Sequence, residues 1–305
     1  MPDAPFRASG AAPIVLLAAT PNVPAGELRA RFAGEIVACD CYVRGAEHGE
    51  RVAGGYRLGR VLNVDHHAPG PVMARAVSSA NLALAYIAAH GRASRDATVV
   101  VTHTDCDSVL SAGLMAGVLE PRAAYGEAAL AADHTGEAND IADLLQALDA
   151  RRDLALSFGS LRALEAGEPL PEVAAAALAR RRTERAAAAR AVRDGVMRWR
   201  GALAFGVFAE PPDTEFFPAL LPAAAVILLA APHPDHPGRW IAKLRLGRAA
   251  SPALTLHALA IEAFDANYGG RWNAGANRRA GGTALEPEAY AEQVAARMAA
   301  VLGAA

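Results

Sequence analysis

The sequence predicts an α/β protein with an N-terminal α/β domain built on a parallel sheet, a helical connector and a smaller C-terminal α/β domain. Four short runs in the first third are apolar throughout, which is typical of parallel strands that helices cover on both faces. Helical segments separate some of these runs, as in layered α/β domains. In such sheets, ligands bind beyond the carboxyl ends of the strands.

The elements are predicted from apolar runs, helical periodicity and Gly/Pro punctuation. The N-terminal strands are 13–19, 35–40, 61–65 and 98–102, with helices at 79–89 and 108–119; the connector, 141–200, is almost wholly helical. The C-terminal elements are strands 203–208, 225–230 and 240–246, a helix at 255–267, a glycine-rich loop at 269–282 and a last helix at 287–302. The predicted domain ranges are 1–145, 146–200 and 201–305, and 305 residues suit two packed domains.

The composition and charge limit which binding partners and which cellular compartment are expected. Thirty basic residues against 32 acidic ones leave a net charge of −2, so a long nucleic acid is not expected as a partner. The longest apolar run, 223–232, is too short to cross a bilayer, so no membrane is expected either. Cys39, Cys41 and Cys106 give no disulfide framework, so we expect small buried thiols in a protein of the reducing cytoplasm.

Ionisable side chains cluster where the predicted N-terminal strands end. One strand runs into the sequence Asp-His-His, a second into His-Thr-Asp-Cys-Asp-Ser, and a third into a single Asp; a further Asp follows an Ala-rich helix. The carboxyl ends of parallel strands meet at one edge of the sheet, so these side chains are expected to converge. The candidates are Asp40, Asp65, His66, His67, His103, Asp105, Asp107 and Asp133.

Taken singly, each of these residues has an ordinary structural explanation. A lone Asp at a strand end is usually a turn or helix cap, and a lone His is usually a hydrogen-bonded part of the fold. Several carboxylates close together repel one another unless a cation compensates them, so the set as a whole predicts a metal site. Carboxylate and imidazole ligands without thiolate favour two Mn²⁺ ions, with Mg²⁺ or Co²⁺ as alternatives.

These motifs together resemble the DHH phosphoesterase superfamily. Asp65-His66-His67, followed by a Ser-Ser-Ala segment at 78–80, is similar to the signature segment of that superfamily. The run from His103 to Ser108 is similar to its His/Asp/Asp metal motif, and Asp133 to the acid that follows the signature segment. Here the His/Asp/Asp motif comes after Asp-His-His, whereas the superfamily usually carries it on the first strand. The resemblance covers nearly the whole chain, in the expected two-domain order.

The resemblance implies a role for each candidate. Asp40 would bridge two metal ions; His103 and Asp105 would hold one of them, and Asp107, His66 and Asp133 the other. His67 would lie beside the metals as a catalytic residue, together with Asp65. Domain 1–145 would therefore be a DHH-like catalytic domain, and domain 201–305 the DHH-associated substrate-binding domain.

The C-terminal part supplies the candidate substrate residues. The segment KLRLG at 243–247 and the glycine-rich loop are similar to the substrate domain of the superfamily, and guanidinium groups bind phosphate oxygens in bidentate fashion. The candidates are Arg245, Arg278, Arg279, Gly281 and Gly282, and a solvated loop is the alternative. A second metal-like pattern, His233-Pro-Asp-His236, is expected to be a plain turn.

The predicted function is hydrolysis of a small phosphorylated substrate, such as a nucleotide, a short oligonucleotide or another phosphate ester, by metal-activated water. The alternative is a metal- or nucleotide-binding sensor of the same fold that has no turnover. We also expect Asp107→Ala to abolish hydrolysis with little loss of folding, because it relieves repulsion among carboxylates.

Overall fold

The computed structural model describes residues 5–18, 22–67 and 77–303. The chain divides into two compact units. The N-terminal unit comprises Met1–Asp133 and Ala138–Arg181, and the C-terminal unit comprises His134–Glu137 and Arg182–Ala305. The predicted ranges 1–145, 146–200 and 201–305 stay predictions. Residue 19, at the end of the first predicted strand, lies outside the described residues.

The N-terminal unit alternates short strands with helices. Its strands are β1 (Ile14–Leu16), β2 (Asn22–Pro24), β3 (Ile36–Cys39), β4 (Tyr42–Arg44), β5 (Glu50–Val52), β6 (Gly55–Leu58), β7 (Val61–Val64) and β8 (Thr98–Val101). Its helices are α1 (Ala25–Arg31), α2 (Ser79–His90), α3 (Cys106–Ala116), α4 (Ala123–Leu130), α5 (Asp140–Leu148) and α6 (Leu154–Ala166). The long helix α7 (Glu172–Arg193) follows and runs from the first unit into the second.

The main sheet of this unit has the strand order β1-β8-β3-β7-β6-β5. Strands β1, β8, β3 and β7 are parallel, whereas β6 and β5 add an antiparallel hairpin at one edge. Strands β2 and β4 form a separate parallel pair. The predicted parallel sheet is confirmed, and it brings the carboxyl ends of β8, β3 and β7 side by side.

The sheet is buried on both faces, as the apolar strands predicted. Val37, Leu62 and Val99 pack on one face with helix α3, every residue of which is buried. Helix α3 starts at the N-cap Asp105, whose side chain accepts the N–H of Ser108. The helix that follows β8 is thus a core element that also carries two candidate ligands, Asp105 at its N-cap and Asp107 in its first turn.

The C-terminal unit is built on a second six-stranded sheet. Its elements are β9 (Arg198–Arg200), β10 (Leu203–Val207), α8 (Phe217–Leu220), β11 (Val226–Pro232), β12 (Trp240–Leu246), β13 (Gly269–Gly270), β14 (Ala274–Ala276) and α9 (Pro287–Gly303). The strand order is β13-β14-β12-β11-β10-β9, and only the pair β10–β11 is parallel. Helix α9 packs on one face through Tyr290 and Val294. The predicted C-terminal α/β layer is therefore confirmed.

The helix predicted at 255–267 is wrong. The structure has turns there, with a single 3₁₀ turn at Ile261–Ala263. Ala260 lies in the left-handed region at φ 46°, which a continuous α-helix does not allow. Leu254 and Leu256 are buried against the face that carries α9, so tertiary packing overrides the helical propensity of this segment.

Two other predicted elements differ from the structure. The glycine-rich loop at 269–282 is not one loop, because β13 and β14 pair within it and β14 extends the sheet at β12. The helical connector is interrupted at 167–171, as its Gly and Pro residues predicted, but it is also interrupted at 149–153, and it ends at Arg193 before strand β9 begins. Among the described residues, no helix is long and apolar enough to span a membrane.

Candidate metal centre

Asp40 occupies a tight turn at the end of β3. Its φ of 52° places it in the left-handed region, which Asp tolerates better than most residues, and its N–H donates to the carbonyl of Val64. The carboxylate is buried and accepts hydrogen bonds from two hydroxyls, Ser79 Oγ at 2.9 Å and Ser108 Oγ at 2.7 Å. The two oxygens of Asp40 are therefore fixed separately, one by each serine.

Asn63 holds the turn that contains Asp40. This buried residue of β7 accepts the N–H of Val43 at 2.9 Å and donates to the carbonyl of Cys41 at 2.9 Å. Its amide also donates to the carbonyl of Ala38 at 3.3 Å. The side chain thus satisfies backbone groups on both sides of Asp40, which a leucine or valine at this strand position would leave unpaired.

His66 presents one ring nitrogen to three carboxylates. Its Nδ1 lies 2.7 Å from the carbonyl of Val77; because a carbonyl only accepts, Nδ1 carries the proton. Nε2 lies 3.1 Å from Asp133 Oδ2, 3.5 Å from Asp40 Oδ1 and 3.6 Å from Asp107 Oδ2. In neutral His66, Nε2 has a lone pair directed at this acidic group, which is the tautomer that a metal ligand requires.

His103 lies on the opposite side of Asp40. Its Nε2 is 3.0 Å from Asp40 Oδ2 and 3.3 Å from Asp105 Oδ2. Burial acts against the charged ring, but the carboxylates of Asp105 and Asp40 raise the pKa of His103 to about 12. In the absence of a metal ion, a proton on this imidazole therefore balances the carboxylates.

Asp40 is common to two groups of side chains that could hold a metal ion. Its ligand atoms lie within 4.8 Å of those of His66 and His67 in one group, and of His103 and Asp105 in the other. Although burial opposes ionisation, hydrogen bonds from His103 and His66 hold the pKa of Asp40 well below its ordinary value. A shared, ionised carboxylate with imidazoles on both sides is a ligand set that could hold a divalent metal ion.

Asp107 is placed differently from the other predicted ligands. Its carboxylate is fully buried and accepts the backbone N–H groups of Ser79 at 2.6 Å and Ala80 at 2.7 Å, at the amino end of α2. Burial, and next the Asp40 carboxylate, raise the pKa of Asp107 well above its ordinary value, while these two N–H groups favour the charged form. Asp107 is in neither ligand group that contains Asp40, so its role as a ligand stays a prediction.

Asp133 and the pair formed by Asp65 and His67 complete the centre. Asp133 is buried on a short π-helical turn, Ala131–Thr135, a geometry that often marks functional sites. His67 Nδ1–H donates to Asp65 Oδ1 at 2.7 Å, and the backbone N–H of His67 donates to Asp65 Oδ2 at 3.0 Å. Asp65 therefore orients the His67 ring, whose side chain is 19% exposed and accessible to a ligand.

The predicted substrate residues are not all together in the C-terminal unit. Arg245 is buried on β12, with its Nη2 3.5 Å from the Glu215 carboxylate. Arg278 and Arg279 are exposed on a 3₁₀ turn. An open depression of about 390 Å³ is lined by His236, Arg239, Asn267, Arg279, Ala280 and Gly281. Two of the five candidates, Arg279 and Gly281, line this depression, and Arg245 does not.

The turn beside this depression accounts for Gly282 and for the metal-like pattern at 233–236. Gly282 has φ 66°, and a Cβ there would lie 2.6 Å from the carbonyl of Trp240, so glycine is needed for the fold itself. His233 Nε2–H donates to the carbonyl of Arg278 at 3.0 Å, and its Nδ1 accepts the N–H of Asp235 at 3.2 Å. Both ring nitrogens of His233 are engaged, which agrees with the interpretation of this pattern as a turn.

Several residues that support the centre were not predicted. Ser79 and Ser108 fix Asp40, and Asn63 fixes its turn. Ser108 directly follows the His/Asp/Asp motif, and Ser79 lies in the segment after Asp-His-His, so position was the available signal for both. For Asn63, the signal was one amide in an otherwise apolar strand.

The comparisons with known proteins show a distant structural similarity. No family model matches the sequence, and no curated protein matches it. The solved structure of a pGpG-specific phosphodiesterase, PggH from Vibrio cholerae, aligns with 11% sequence identity and a TM-score of 0.38. The alignment covers 50% of this chain and 58% of that chain. At this level of similarity the neighbour carries no argument about the chemistry of this chain.

The hydrogen bonds that Asp107 accepts reverse the expectation that Asp107→Ala costs little stability. The substitution leaves two buried N–H groups, of Ser79 and Ala80, without their acceptor. We expect a loss of about 2 kcal/mol or more in the free energy of unfolding, measured by urea denaturation in EDTA. Asp107→Asn keeps one acceptor and should lose less, and Asp96→Ala, at an exposed position, should lose almost nothing. Wild-type stability of Asp107→Ala would show that these bonds do not hold the start of α2.

Proposed function

We propose that this chain is a metal-dependent phosphoesterase that hydrolyses a small phosphorylated substrate. It would use two divalent ions, and Mn²⁺ is the preferred ion. The observation that carries the proposal is the position of Asp40. Its Oδ1 lies 3.5 Å from His66 Nε2, and its Oδ2 lies 3.0 Å from His103 Nε2. One buried carboxylate thus belongs to two separate ligand groups.

The ligands divide into two sets about Asp40. His103 and Asp105 would hold one ion together with Asp40. The other ion would be held by Asp40, His66 and Asp133, because Asp133 Oδ2 lies 3.1 Å and Asp40 Oδ1 3.5 Å from His66 Nε2, with Asp107 behind them. Bound divalent ions would lower the pKa of a coordinated water and neutralise charge on the phosphoryl oxygens. Because His66 Nδ1–H donates to the Val77 carbonyl, Nε2 would be the ring nitrogen that binds the ion.

The chain's own groups would provide binding and proton transfer. His67, oriented by Asp65, would donate a proton to the oxygen of the leaving group, because its ring is partly exposed beside the ligands. Asp65 would act through His67 and is a positioning residue. The exposed guanidinium groups of Arg278 and Arg279 are the proposed donors to further phosphate oxygens of the substrate, whereas the charge of Arg245 is already balanced by Glu215.

The proposal includes the DHH type of phosphoesterase. The order of motifs along the chain differs from that of the superfamily, but strands β8, β3 and β7 are direct neighbours in the sheet. Residues at the ends of these strands meet in space whichever strand comes first in the sequence. The position of His103 beside Asp40 supports this assignment.

The first test is hydrolysis of bis-(p-nitrophenyl) phosphate and of a panel of phosphorylated metabolites with added Mn²⁺. We expect turnover that EDTA abolishes and Mn²⁺ restores. Asp40→Asn should lower the rate by more than about a hundredfold, since changing residues behind metal ligands alone costs about 10–100-fold. Asp96→Asn, an exposed carboxylate in the same unit, is the matched control. Turnover in EDTA, or full activity of Asp40→Asn, would contradict the proposal.

The role of His67 gives a second, independent test. His67→Gln should lower kcat by about 10²- to 10⁴-fold, the usual contribution of a proton donor, with bound Mn²⁺ unchanged. His48→Gln changes a histidine of this unit whose side chain is 81% exposed, and it should behave as wild type. Loss of Mn²⁺ from His67→Gln would instead make His67 a metal ligand, and unchanged kcat would remove it from the reaction.

A further inference from the structure

The loop that carries His103 and Asp105 is held by a segment far away in the sequence. We use this name for residues 102–106, which comprise the connection between β8 and α3 and the first residue of α3. The segment that contacts it, residues 146–152, comprises the end of α5 and the 3₁₀ turn Asp149–Arg151 that follows. Both belong to the N-terminal unit. We call residues 146–152 the clamp segment.

Two acceptors of the clamp segment bind backbone N–H groups of the loop. Gln146 Oε1 accepts the N–H of Cys106 at 2.9 Å, and Asp149 Oδ1 accepts the N–H of Thr104 at 2.9 Å. The Thr104 hydroxyl donates in turn to the backbone carbonyl of Asp149 at 3.0 Å. Thr104 is completely buried, so its N–H and its hydroxyl depend on Asp149 for their hydrogen bonds.

Arg152 binds the strand ends from the same segment. Its Nη1 donates to the carbonyl of Thr102 at 2.9 Å, and its Nη2 donates to the carbonyl of Leu17 at 2.7 Å. One guanidinium group therefore joins the end of β8 to the residue that follows β1. Arg152 is held at φ 51°, and its N–H donates to the carbonyl of Asp149, so its position depends on the turn itself.

The bonds of the clamp alternate with the ligands along the loop. The clamp binds the backbone of residues 102, 104 and 106, and the side chains of His103 and Asp105 approach Asp40. His103 is 31% exposed and Asp105 20% exposed, whereas His66 on the other side of Asp40 is buried. Packing alone therefore fixes His103 and Asp105 less firmly than it fixes His66.

We infer that Asp149 and Arg152 are positioning residues that set the affinity for the ion held by Asp40, His103 and Asp105, and leave the affinity for the other ion unchanged. This inference rests on the proposed function, because it assumes two metal ions. The clamp orders the backbone that carries the two partly exposed ligands, His103 and Asp105. Residues that orient metal ligands typically change affinity by about 10–100-fold.

The test is a titration of the full-length, metal-free protein with Mn²⁺ by isothermal calorimetry, which needs no substrate. Asp149→Ala removes the acceptor for Thr104, and Asp149→Asn keeps one and serves as the conservative rescue. Arg152→Gly removes the guanidinium without strain at the left-handed φ, and it provides a second variant if Asp149→Ala fails to fold. Arg151→Ala, at the exposed neighbouring position, is the matched control.

We expect wild type to bind two ions, and Asp149→Ala and Arg152→Gly to bind one of them about 10–100-fold more weakly. Asp149→Asn and Arg151→Ala should keep both affinities near wild type. Equal affinities in every variant would overturn the inference and leave the proposed function intact. Equal weakening of both ions, together with a lower unfolding temperature, would also overturn it, because the role would then be general stability. Wild type that binds no Mn²⁺ would overturn the proposed function itself.

Discussion

The two hydrogen-bonded oxygens of the buried Asp40 carboxylate fix the arrangement on which the rest of the centre depends. Oδ1 takes the hydroxyl of Ser79 and faces His66, and Oδ2 takes the hydroxyl of Ser108 and faces His103. The serines lie in the first turns of α2 and α3, so the same carboxylate ties both helices to β3. Removing Asp40 or one of its partners is expected to lower stability, because each removal leaves another buried polar group without its hydrogen-bond partner.

The sheet order explains how distant parts of the chain reach this carboxylate. Strand β3 lies between β8 and β7. His103 therefore approaches Asp40 from one side, and His66 approaches from the other. Both imidazoles carry raised pKa values because of the surrounding carboxylates, so without metal ions the centre is balanced by protons. Divalent ions would take the place of those protons, which ties metal binding to proton release.

The sequence predicted the structure correctly where a local pattern of residue types determines it. Uniform apolar runs that end in Asp or His predicted the strands of the parallel sheet and the convergence of Asp40, His66 and His103, because few other patterns place such residues together. It was not sufficient where long-range contacts decide. The helical pattern at 255–267 yields to the burial of its leucines, and glycines at 269–276 carry no side-chain pattern that could reveal β13 and β14.

The residues that support the ligands were also not predictable from the sequence, because they act through single long-range hydrogen bonds. Asn63 and Asp149 satisfy backbone groups that only the folded chain brings to them. Their partners lie about 20 and 45 residues away in the sequence, so no local spacing indicates the contact. Such residues determine how rigidly the ligands are held. The residue types of the ligands themselves do not indicate this rigidity.

Electron paramagnetic resonance of the Mn²⁺-loaded protein tests the central claim, that Asp40 is shared by two ions. Two Mn²⁺ ions bridged by one carboxylate are expected to give an exchange-coupled spectrum at two ions per chain, and Asp40→Asn should lose that coupling. A spectrum of isolated Mn²⁺ ions at saturation, or a stoichiometry of one ion per chain, would contradict the account.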